Sequence, residues 1–356
     1  MKEKAYIEFI RYSLDEKATL PESIVEIDWG DFINFCYQQS VFGIALAGIE
    51  KAKACSTSLS IDQMDLLEWI GMVESVKAQN ETINKRGLAV TKWFEERGYR
   101  SVILKGQANG LMYPRPEYRI PGDIDIWVEG KDGDIIKLVL KEWPDAHYSI
   151  HHVKMPVFND VSVEVHYKPM YLMNWFADRK LQKYIGRIED AQFSNRVNLG
   201  NGKIGVLTDD FNIVYQLLHM YAHLFSTRNN FKQLIDYYYL LRKAKGNFKK
   251  TEIKVLLEQF EILKYAKGIM WIMSDVLGVE ANYLIVDPEK NIGRLLLKET
   301  MKYGMYENRT AVDLTKQFFG NLKLAGVFPK NVLISPLFLL WHQWWKYKTN
   351  LALKRL

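Results

Sequence analysis

Hydrophobic residues follow two different periods along the chain, and the change of period divides it into three regions. Residues 1–98 carry apolar side chains at spacings of three and four, as in Phe32-Ile33-Phe35-Cys36 and Leu66-Leu67-Trp69-Ile70-Val73. This spacing predicts helices. The stretch from Asp62 to Arg97, closed by Gly98, predicts one or two long helices with a glycine stop.

Residues 99–207 contain short apolar runs of the kind that form strands. Val102-Ile103-Leu104 predicts a strand, followed by the pair Lys105-Gly106 and a brief helix from Gln107 to Met112. Three prolines, at positions 114, 116 and 121, then prevent regular structure until a second strand opens at Asp123.

The rest of this middle region predicts one helix and two hairpins. Residues 134–142 have a helical pattern. The runs 151–158 and 161–167 predict a hairpin with a two-residue turn at Asn159-Asp160, and the runs 197–199 and 204–206 predict another around Gly200-Asn201-Gly202.

From Thr208 to the end the pattern is helical again. Thr208-Asp209-Asp210 offers capping residues for a first helix, and further helices are expected over 231–243, 250–277 and 291–303. We therefore expect an α+β fold with an N-terminal helical region (1–98), an α/β core (99–207) and a C-terminal helical domain (208–356).

Composition and charge exclude several classes of protein. The chain has 356 residues, of which 48% are hydrophobic and 25% charged, enough for a folded protein of two or three domains. Its net charge of +6 comes from scattered residues, so no specific nucleic-acid binding is expected. Cys36 and Cys55 are too few for a disulfide framework or a thiolate metal site. With no signal-peptide pattern at the N-terminus, a cytoplasmic location is expected.

The C-terminal segment, residues 335–356, combines the apolar run Leu337 to Trp341 with Trp344, Trp345 and scattered basic residues. Its apolar run is far shorter than the roughly 20 residues of a transmembrane span. The expectation is a helix packed on the rest of the protein. Contact with a membrane surface is the alternative.

Asp123 and Asp125 are the first candidates for chemistry, in the run Gly122-Asp123-Ile124-Asp125-Ile126. Alternation along a strand places both carboxylates on one face and the isoleucines on the other. Two neighbouring carboxylates repel each other, so a site that keeps them usually binds a cation. Mg²⁺ and chemistry on a phosphate are expected.

A third carboxylate lies on the later strand Val161 to Tyr167. Its valines share one face, so Ser162, Glu164 and His166 share the other. If this strand lies beside that of Asp123, the three carboxylates suit a two-metal phosphoryl-transfer site. His166 is a possible substrate contact, and a hydrogen-bonded structural histidine is the alternative.

These residues together resemble a known family. Leu104-Lys105-Gly106, Tyr113-Pro114, Arg119, the run 122–126 and Val163-Glu164-Val165-His166 look like the motif series of the bacterial uncharacterised nucleotidyltransferase family, within the DNA polymerase β-like nucleotidyltransferase superfamily. Asp28-Trp29 and the segments 219–223 and 234–236 resemble its helical flanks, so the resemblance covers most of the chain.

The resemblance implies a small mixed β-sheet with helices behind it. It also implies transfer of a nucleoside monophosphate from a nucleoside triphosphate to an acceptor, with release of pyrophosphate. Asp123, Asp125 and Glu164 would be catalytic and hold Mg²⁺, as two ions, with Mn²⁺ as a substitute. Gly106 would turn against the triphosphate. Many superfamily members have Gly-Ser at this turn, so Lys105 or backbone amides would replace the serine contact.

Arg119 and Asp236 have two interpretations each. Arg119 would bind a phosphate of the nucleotide through both arms of its guanidinium, or face solvent in its proline-bounded loop. Asp236 would reach the substrate from the C-terminal helical domain, or pair with a basic residue such as Arg228. Lys105 ends a buried strand, where a charge needs a partner, and a nucleotide-binding role is favoured.

The remaining histidines and tyrosines are expected to be structural. His219 and His223 share a helix face at metal-pair spacing, but they lack the glutamate of zinc proteases, and packing is favoured. His151 and His152 are expected to face opposite sides of a strand and so not to form a pair. Tyr237, Tyr238 and Tyr239 suit stacking on a base or sugar, yet core positions are favoured.

Three functions are therefore compared. The first is nucleotidyl transfer to a hydroxyl or phosphate on a small molecule, saccharide or protein. A second is a non-catalytic nucleotide-binding or interaction protein of the same fold. The third is glycosyl transfer through the Asp-x-Asp pair. Nearly 100 helical residues precede that pair, where a nucleotide domain of alternating strands and helices is expected, and this argues against the third.

Overall fold

The computed structural model describes residues 2–55, 59–226, 229–302 and 321–354. The chain begins with four helices: α1 (Lys2–Leu14), α2 (Trp29–Gln38), α3 (Phe42–Ala54) and α4 (Gln63–Glu95). Asp28 and Asp62 cap α2 and α4 by accepting backbone hydrogen bonds at their first turns. The long helix predicted after Asp62 is thus confirmed as one helix of 33 residues.

A four-stranded mixed sheet follows, made of β1 (Ser101–Ile103), β2 (Ile124–Val128), β3 (His152–Lys154) and β4 (Val163–His166) in the order β1-β2-β4-β3. β2 runs parallel to β4, and the two outer pairs are antiparallel. The predicted pairing of β3 with β4 is confirmed. Residues 155–162 connect them, so the two-residue turn predicted at Asn159-Asp160 is wrong.

Three helices lie within this middle part of the chain: α5 (Gln107–Gly110), α6 (Asp132–Glu142) and α7 (Trp175–Ser194). The first two were expected, whereas α7 had no counterpart in the sequence pattern. A separate hairpin of β5 (Arg196–Leu199) and β6 (Gly202–Gly205) confirms the second predicted hairpin. A bridge between Ile103 and Val206 joins it to the edge of the sheet.

The C-terminal part is helical, as expected: α8 (Asp209–Phe225), α9 (Phe231–Ala244), α10 (Lys250–Gln259), α11 (Leu263–Trp271), α12 (Lys290–Lys302) and α13 (Pro329–Lys354). Thr208 is the N-cap of α8, but its side chain makes no capping bond. The helical range 250–277 is divided at Glu261, whose φ of 59° is left-handed. Tyr303 and the segment that follows it lie outside the described residues.

Helix α13 packs on the protein through aromatic rings: Phe338 stacks on Tyr171, and Trp345 meets Tyr148. These contacts agree with the packed helix favoured by the sequence. Its opposite side leaves Leu333 and Trp344 exposed, and the alternative of membrane-surface contact stays a prediction. No helix among the described residues combines the length and apolar character needed to cross a membrane.

Two hydrophobic clusters hold these elements together. The smaller cluster lies between the sheet and α4 and α6, where Phe94 and Val139 pack on the buried isoleucines of β2. This is the sheet with helices behind it that was expected. The larger cluster joins the N-terminal helices to α8, α9 and α11. The division into domains at residues 98 and 207 stays a prediction.

Candidate functional site

Asp125 and Glu164 face each other on neighbouring strands. In the parallel pairing of β2 with β4, Asp125 is the direct partner of Glu164, which confirms the strand pairing on which the predicted carboxylate cluster depended. Asp125 is buried, Glu164 is partly buried, and Asp123, which directly precedes β2, is the most exposed of the three. The strand register thus gathers the carboxylates at one face of the sheet.

Lys105 connects the two aspartates. It follows β1, whose neighbour in the sheet is β2. Its Nζ lies 3.0 Å from Asp125 Oδ2 and 3.7 Å from Asp123 Oδ1. Both aspartates therefore reach the same ammonium, as expected for side chains two residues apart on a strand. The aspartate pair is therefore the partner that the charge of Lys105 requires.

His166 completes the cluster from β4. Its Nε2 lies 3.0 Å from Asp125 Oδ1 and 4.0 Å from Glu164 Oε2. A carboxylate can only accept, so His166 donates its Nε2–H to Asp125. The structural alternative for His166 is thereby supported, while a substrate contact stays a prediction.

The electrostatic environment shifts the pKa values of Asp125 and Glu164 in opposite directions. Burial opposes ionisation of Asp125, but the charge of Lys105 and the hydrogen bond from His166 outweigh it and hold the pKa of Asp125 well below its usual range. Burial raises the pKa of Glu164, and the negative charges of Asp125 and Asp123 raise it further. The surroundings of Asp125 thus favour its anionic form, and Glu164 is the group better suited to accept a proton.

The donor atoms fit a divalent cation. Asp125, Glu164 and His166 each place a possible ligand atom within 4.8 Å of the others, and Asp123 stands beside this group. Asp125 Oδ2 is buried, and its close charged contact within the described chain is the Lys105 ammonium. Carboxylate oxygens are the ligands that Mg²⁺ and Mn²⁺ prefer. A metal ion here would compete with Lys105 for the two aspartates.

Gly106 forms the turn between β1 and α5. Its φ of 65° lies in the region that favours glycine, and a Cβ built on it would be 3.5 Å from the carbonyl oxygen of Asp123. The turn therefore brings the backbone after Lys105 close to the first aspartate. Its contact with a triphosphate stays a prediction.

Arg119 and Asp236 form a buried ion pair. Arg119 Nε donates to Asp236 Oδ1 at 2.7 Å and Nη2 donates to Oδ2 at 2.8 Å, while the hydroxyl of Tyr113 donates to Oδ1 at 2.6 Å. Arg119 is 6% exposed, so the solvent-facing alternative is wrong. Arg228, the partner suggested for Asp236, lies outside the described residues. Nucleotide binding by Arg119 and substrate contact by Asp236 stay predictions.

A cavity of about 310 Å³ opens between this cluster and the C-terminal helices. Its walls combine the proposed site residues with polar side chains of α8 and α9, and they include Lys105, Gly106, Asn109, Arg119, Asp123, Gln216, Asn230, Lys232 and Asp236. The sequence had not singled out Lys232. Burial, and next the charge of Arg119, lower its pKa to about 8. Its position four residues before Asp236, on the same face of α9, was the available signal.

The other aromatic and histidine candidates divide between cavity and core. His219 and His223 contact each other, with Nε2 atoms 3.1 Å apart, and both line the cavity. Tyr237, Tyr238 and Tyr239 are buried, as the core interpretation expected. The expectation that His151 and His152 do not pair is wrong. His151 precedes β3, and its Nε2 lies 3.1 Å from His152 Nδ1.

The small mixed sheet, its clustered carboxylates and the adjoining cavity, whose wall includes Lys105, Arg119 and Lys232, fit an α+β protein of the nucleotidyltransferase class. The chain belongs to the family described as uncharacterised nucleotidyltransferase, whose model matches residues 25–278. That range holds the sheet and the residues of the cluster. The resemblance found in the sequence is thereby confirmed at the level of the family.

Comparisons with curated proteins and with solved structures add nothing to the family assignment. No curated protein matches the chain. Among solved structures, it is similar to an antigenic nucleotidyltransferase-like protein from Paracoccidioides brasiliensis, with 13% identity and a TM-score of 0.32 over 54% of this chain and 95% of that one.

Proposed function

We propose that this protein is a metal-dependent nucleotidyltransferase, which moves a nucleoside monophosphate from a nucleoside triphosphate to a hydroxyl or phosphate group and releases pyrophosphate. The observation that carries the proposal is the alignment of Asp125 with Glu164 across β2 and β4, next to a cavity with Lys105 and Lys232 in its wall. Anionic groups for a metal thus lie beside cationic groups for phosphates.

Each side chain has a distinct task in this proposal. Asp123, Asp125 and Glu164 would hold Mg²⁺, or Mn²⁺ in its place, as one ion or two. When bound, the metal supplies positive charge to the phosphate oxygens. Lys105 and Lys232 would contact the phosphates, and the Gly106 turn would let the backbone approach them. Arg119 would position the cavity wall through its ion pair with Asp236.

The chemical step forms a bond between the acceptor oxygen and the α-phosphorus and breaks the bond to the β-phosphate oxygen, which leaves as pyrophosphate. The hydroxyl proton of the acceptor needs a base. The raised pKa of Glu164 suits it to that task better than Asp125, whose charge is already neutralised by Lys105.

Binding of magnesium triphosphate tests the proposal. The Asp123→Ala/Asp125→Ala variant should bind it at least about tenfold more weakly than the wild type, equal to about 1.4 kcal/mol, because the metal loses two ligands. Titration calorimetry with a non-hydrolysable triphosphate measures this. Asp145→Asn, at an exposed aspartate outside the cavity wall, is the matched control. Equal affinity in the wild type and the double variant would contradict the site.

A non-catalytic nucleotide-binding protein is the second candidate, and one observation favours it. Lys105 already supplies a positive charge to Asp123 and Asp125, at the place where a metal ion would act. Release of pyrophosphate in the presence of a panel of small-molecule, saccharide and protein acceptors distinguishes the two functions. Binding of the triphosphate without any pyrophosphate release would support the second.

A further inference from the structure

Three histidines come together at the outer edge of the sheet. His152 on β3 is the cross-strand partner of His166 on β4, and His151 directly precedes β3. The ring centroids are 4.5 Å apart for His151 and His152, 5.2 Å for His151 and His166, and 5.3 Å for His152 and His166. One ring nitrogen of each lies within 4.8 Å of the other two.

Two ring nitrogens in this cluster have no hydrogen-bond partner among the described residues. The Nδ1 atoms of His151 and His166 are both buried and make no hydrogen bond within the described residues. His166 as a whole is 4% exposed. Buried polar atoms in native proteins are nearly always paired, so an unpaired nitrogen in a closed cluster of imidazoles calls for a ligand. Nδ1 of His152 lies 3.1 Å from Nε2 of His151, so a metal ion would replace this contact and use the lone pairs of the cluster.

Carboxylates lie beside two of the three rings, and one of them is within hydrogen-bond distance. Asp125 accepts from Nε2 of His166 at 3.0 Å, which leaves Nδ1 as the nitrogen with the lone pair. Glu164 Oε1 lies 3.7 Å from Nε2 of His152. A carboxylate behind an imidazole is the usual arrangement that fixes the tautomer and raises the basicity of a metal-binding histidine. Tyr171 packs against the third ring, that of His151, at 4.7 Å.

We propose that His151, His152 and His166 bind a transition-metal ion, with Zn²⁺ as the best match. Imidazole nitrogens favour zinc and its neighbours in the first transition row, whereas carboxylates favour Mg²⁺ and Mn²⁺. Three histidines are a complete protein ligand set for zinc that keeps one position open. This site adjoins the proposed Mg²⁺ site, with which it shares His166, and Asp125 and Glu164 lie beside its rings. The proposal does not depend on the proposed function.

Zinc titration of the full chain tests the proposal. Protein freed of metal by chelation is titrated with Zn²⁺ against a chromophoric chelator, and one ion per chain is expected. His151→Ala and His152→Ala should each weaken zinc binding by at least about tenfold, since each removes a ligand where even an outer partner is worth that much. His147→Ala is the matched control, at an exposed histidine just before the cluster, and should bind like the wild type.

A second variant separates this cluster from the other close pair of histidines. His219→Ala/His223→Ala removes the pair on α8 and should leave zinc binding unchanged. The affinity of His151→Ala for magnesium triphosphate should also be unchanged, so failure of the zinc site and failure of the proposed function give different results. Circular dichroism checks that each variant is folded.

A measurement on the wild type keeps the proposal falsifiable if the variants do not fold. Zinc should protect His151 and His152, but not His147, from modification by diethyl pyrocarbonate, as read by mass spectrometry. The proposal is overturned if no zinc binds, if binding survives both single substitutions, if binding is lost with the α8 pair, or if zinc gives no such protection.

Discussion

Two lysines from distant parts of the chain face the same cavity, and their charges are balanced differently. Lys105 has two aspartates within 3.7 Å, which outweigh its burial and raise its pKa above the usual range. Lys232 has no ion pair within the described residues, and its pKa falls to about 8. Lys105 is thus charged at every physiological pH, whereas Lys232 titrates close to neutrality.

The affinity for a triphosphate should follow the charge of Lys232. Its ammonium is present below pH 8 and is lost above it, so binding of magnesium triphosphate should fall by about tenfold from pH 7 to pH 9. Titration calorimetry at several pH values measures this. Lys232→Arg, which keeps its charge, should bind almost equally at both pH values. A wild type without pH dependence, or an arginine variant with the same fall, would contradict the role of Lys232.

For individual residues, the sequence predicts those positions that follow from the alternation of side chains along a strand. The shared face of Asp123 and Asp125, and the face of Glu164, follow from a period of two. The place of Lys232 depends on how α9 docks on the sheet, which no local pattern contains. The prediction that His151 faces away from His152 is wrong for a local reason. β3 begins one residue later than the apolar run suggested, so alternation does not apply to His151.

Among the elements, the turn from β1 into α5 has the most direct bearing on the site. It is only three residues long, Leu104 to Gly106, and it places Lys105 on the aspartates while Gly106 passes the carbonyl of Asp123. The φ of 65° and ψ of −108° at Gly106 are accessible to glycine but strained for any residue with a Cβ.

Gly106→Ala should therefore lower the free energy of unfolding by about 1–3 kcal/mol, because alanine must hold a strained backbone conformation. Urea denaturation followed by circular dichroism measures it. Gly133→Ala is the matched control: it lies in the first turn of α6, where a Cβ meets nothing within 4 Å. Equal stability of both variants would show that the turn relaxes without strain.

Sequence periodicity predicts most of the elements and misses α7. Its buried side chains include Ala177, Leu181 and Ile185 at helical spacing, and Asn174 caps it by accepting from Phe176 N. The exposed rings of Trp175 and Phe176 obscure the start of this pattern, since they place large apolar residues on the solvent side. Tertiary packing against Trp341, which meets Trp175, is not visible locally.

In the whole molecule, helices from both ends of the chain share one hydrophobic cluster. Single polar side chains form hydrogen bonds or ion pairs from one part of the chain to another. Gln39, after α2, donates through Nε2 to the carbonyl of Thr300 and accepts from the backbone of Phe231. The ion pair of Arg119 with Asp236 joins the loop before β2 to α9 in the same way. The cavity thus lies between parts of the chain that are far apart in sequence.

Removal of one charge from the ion pair of Arg119 with Asp236 should destabilise the fold. Asp236→Asn leaves the Arg119 guanidinium buried without a counter-ion, and the free energy of unfolding should fall by about 3–5 kcal/mol. Chemical denaturation measures it. Glu252→Gln breaks the exposed pair with Lys249 and should change the value by less than about 1 kcal/mol. A loss at position 236 no larger than in this control would show that the pair is not sealed from water.

The same ion pair has a consequence for the history of the family. A lineage that loses either charge alone keeps an isolated ion in the interior, so intermediates between the paired and the unpaired state are selected against. We expect positions 119 and 236 to covary across the family: homologues without arginine at the first should lack the acid at the second. Exposed pairs such as Lys249 with Glu252 should drift independently.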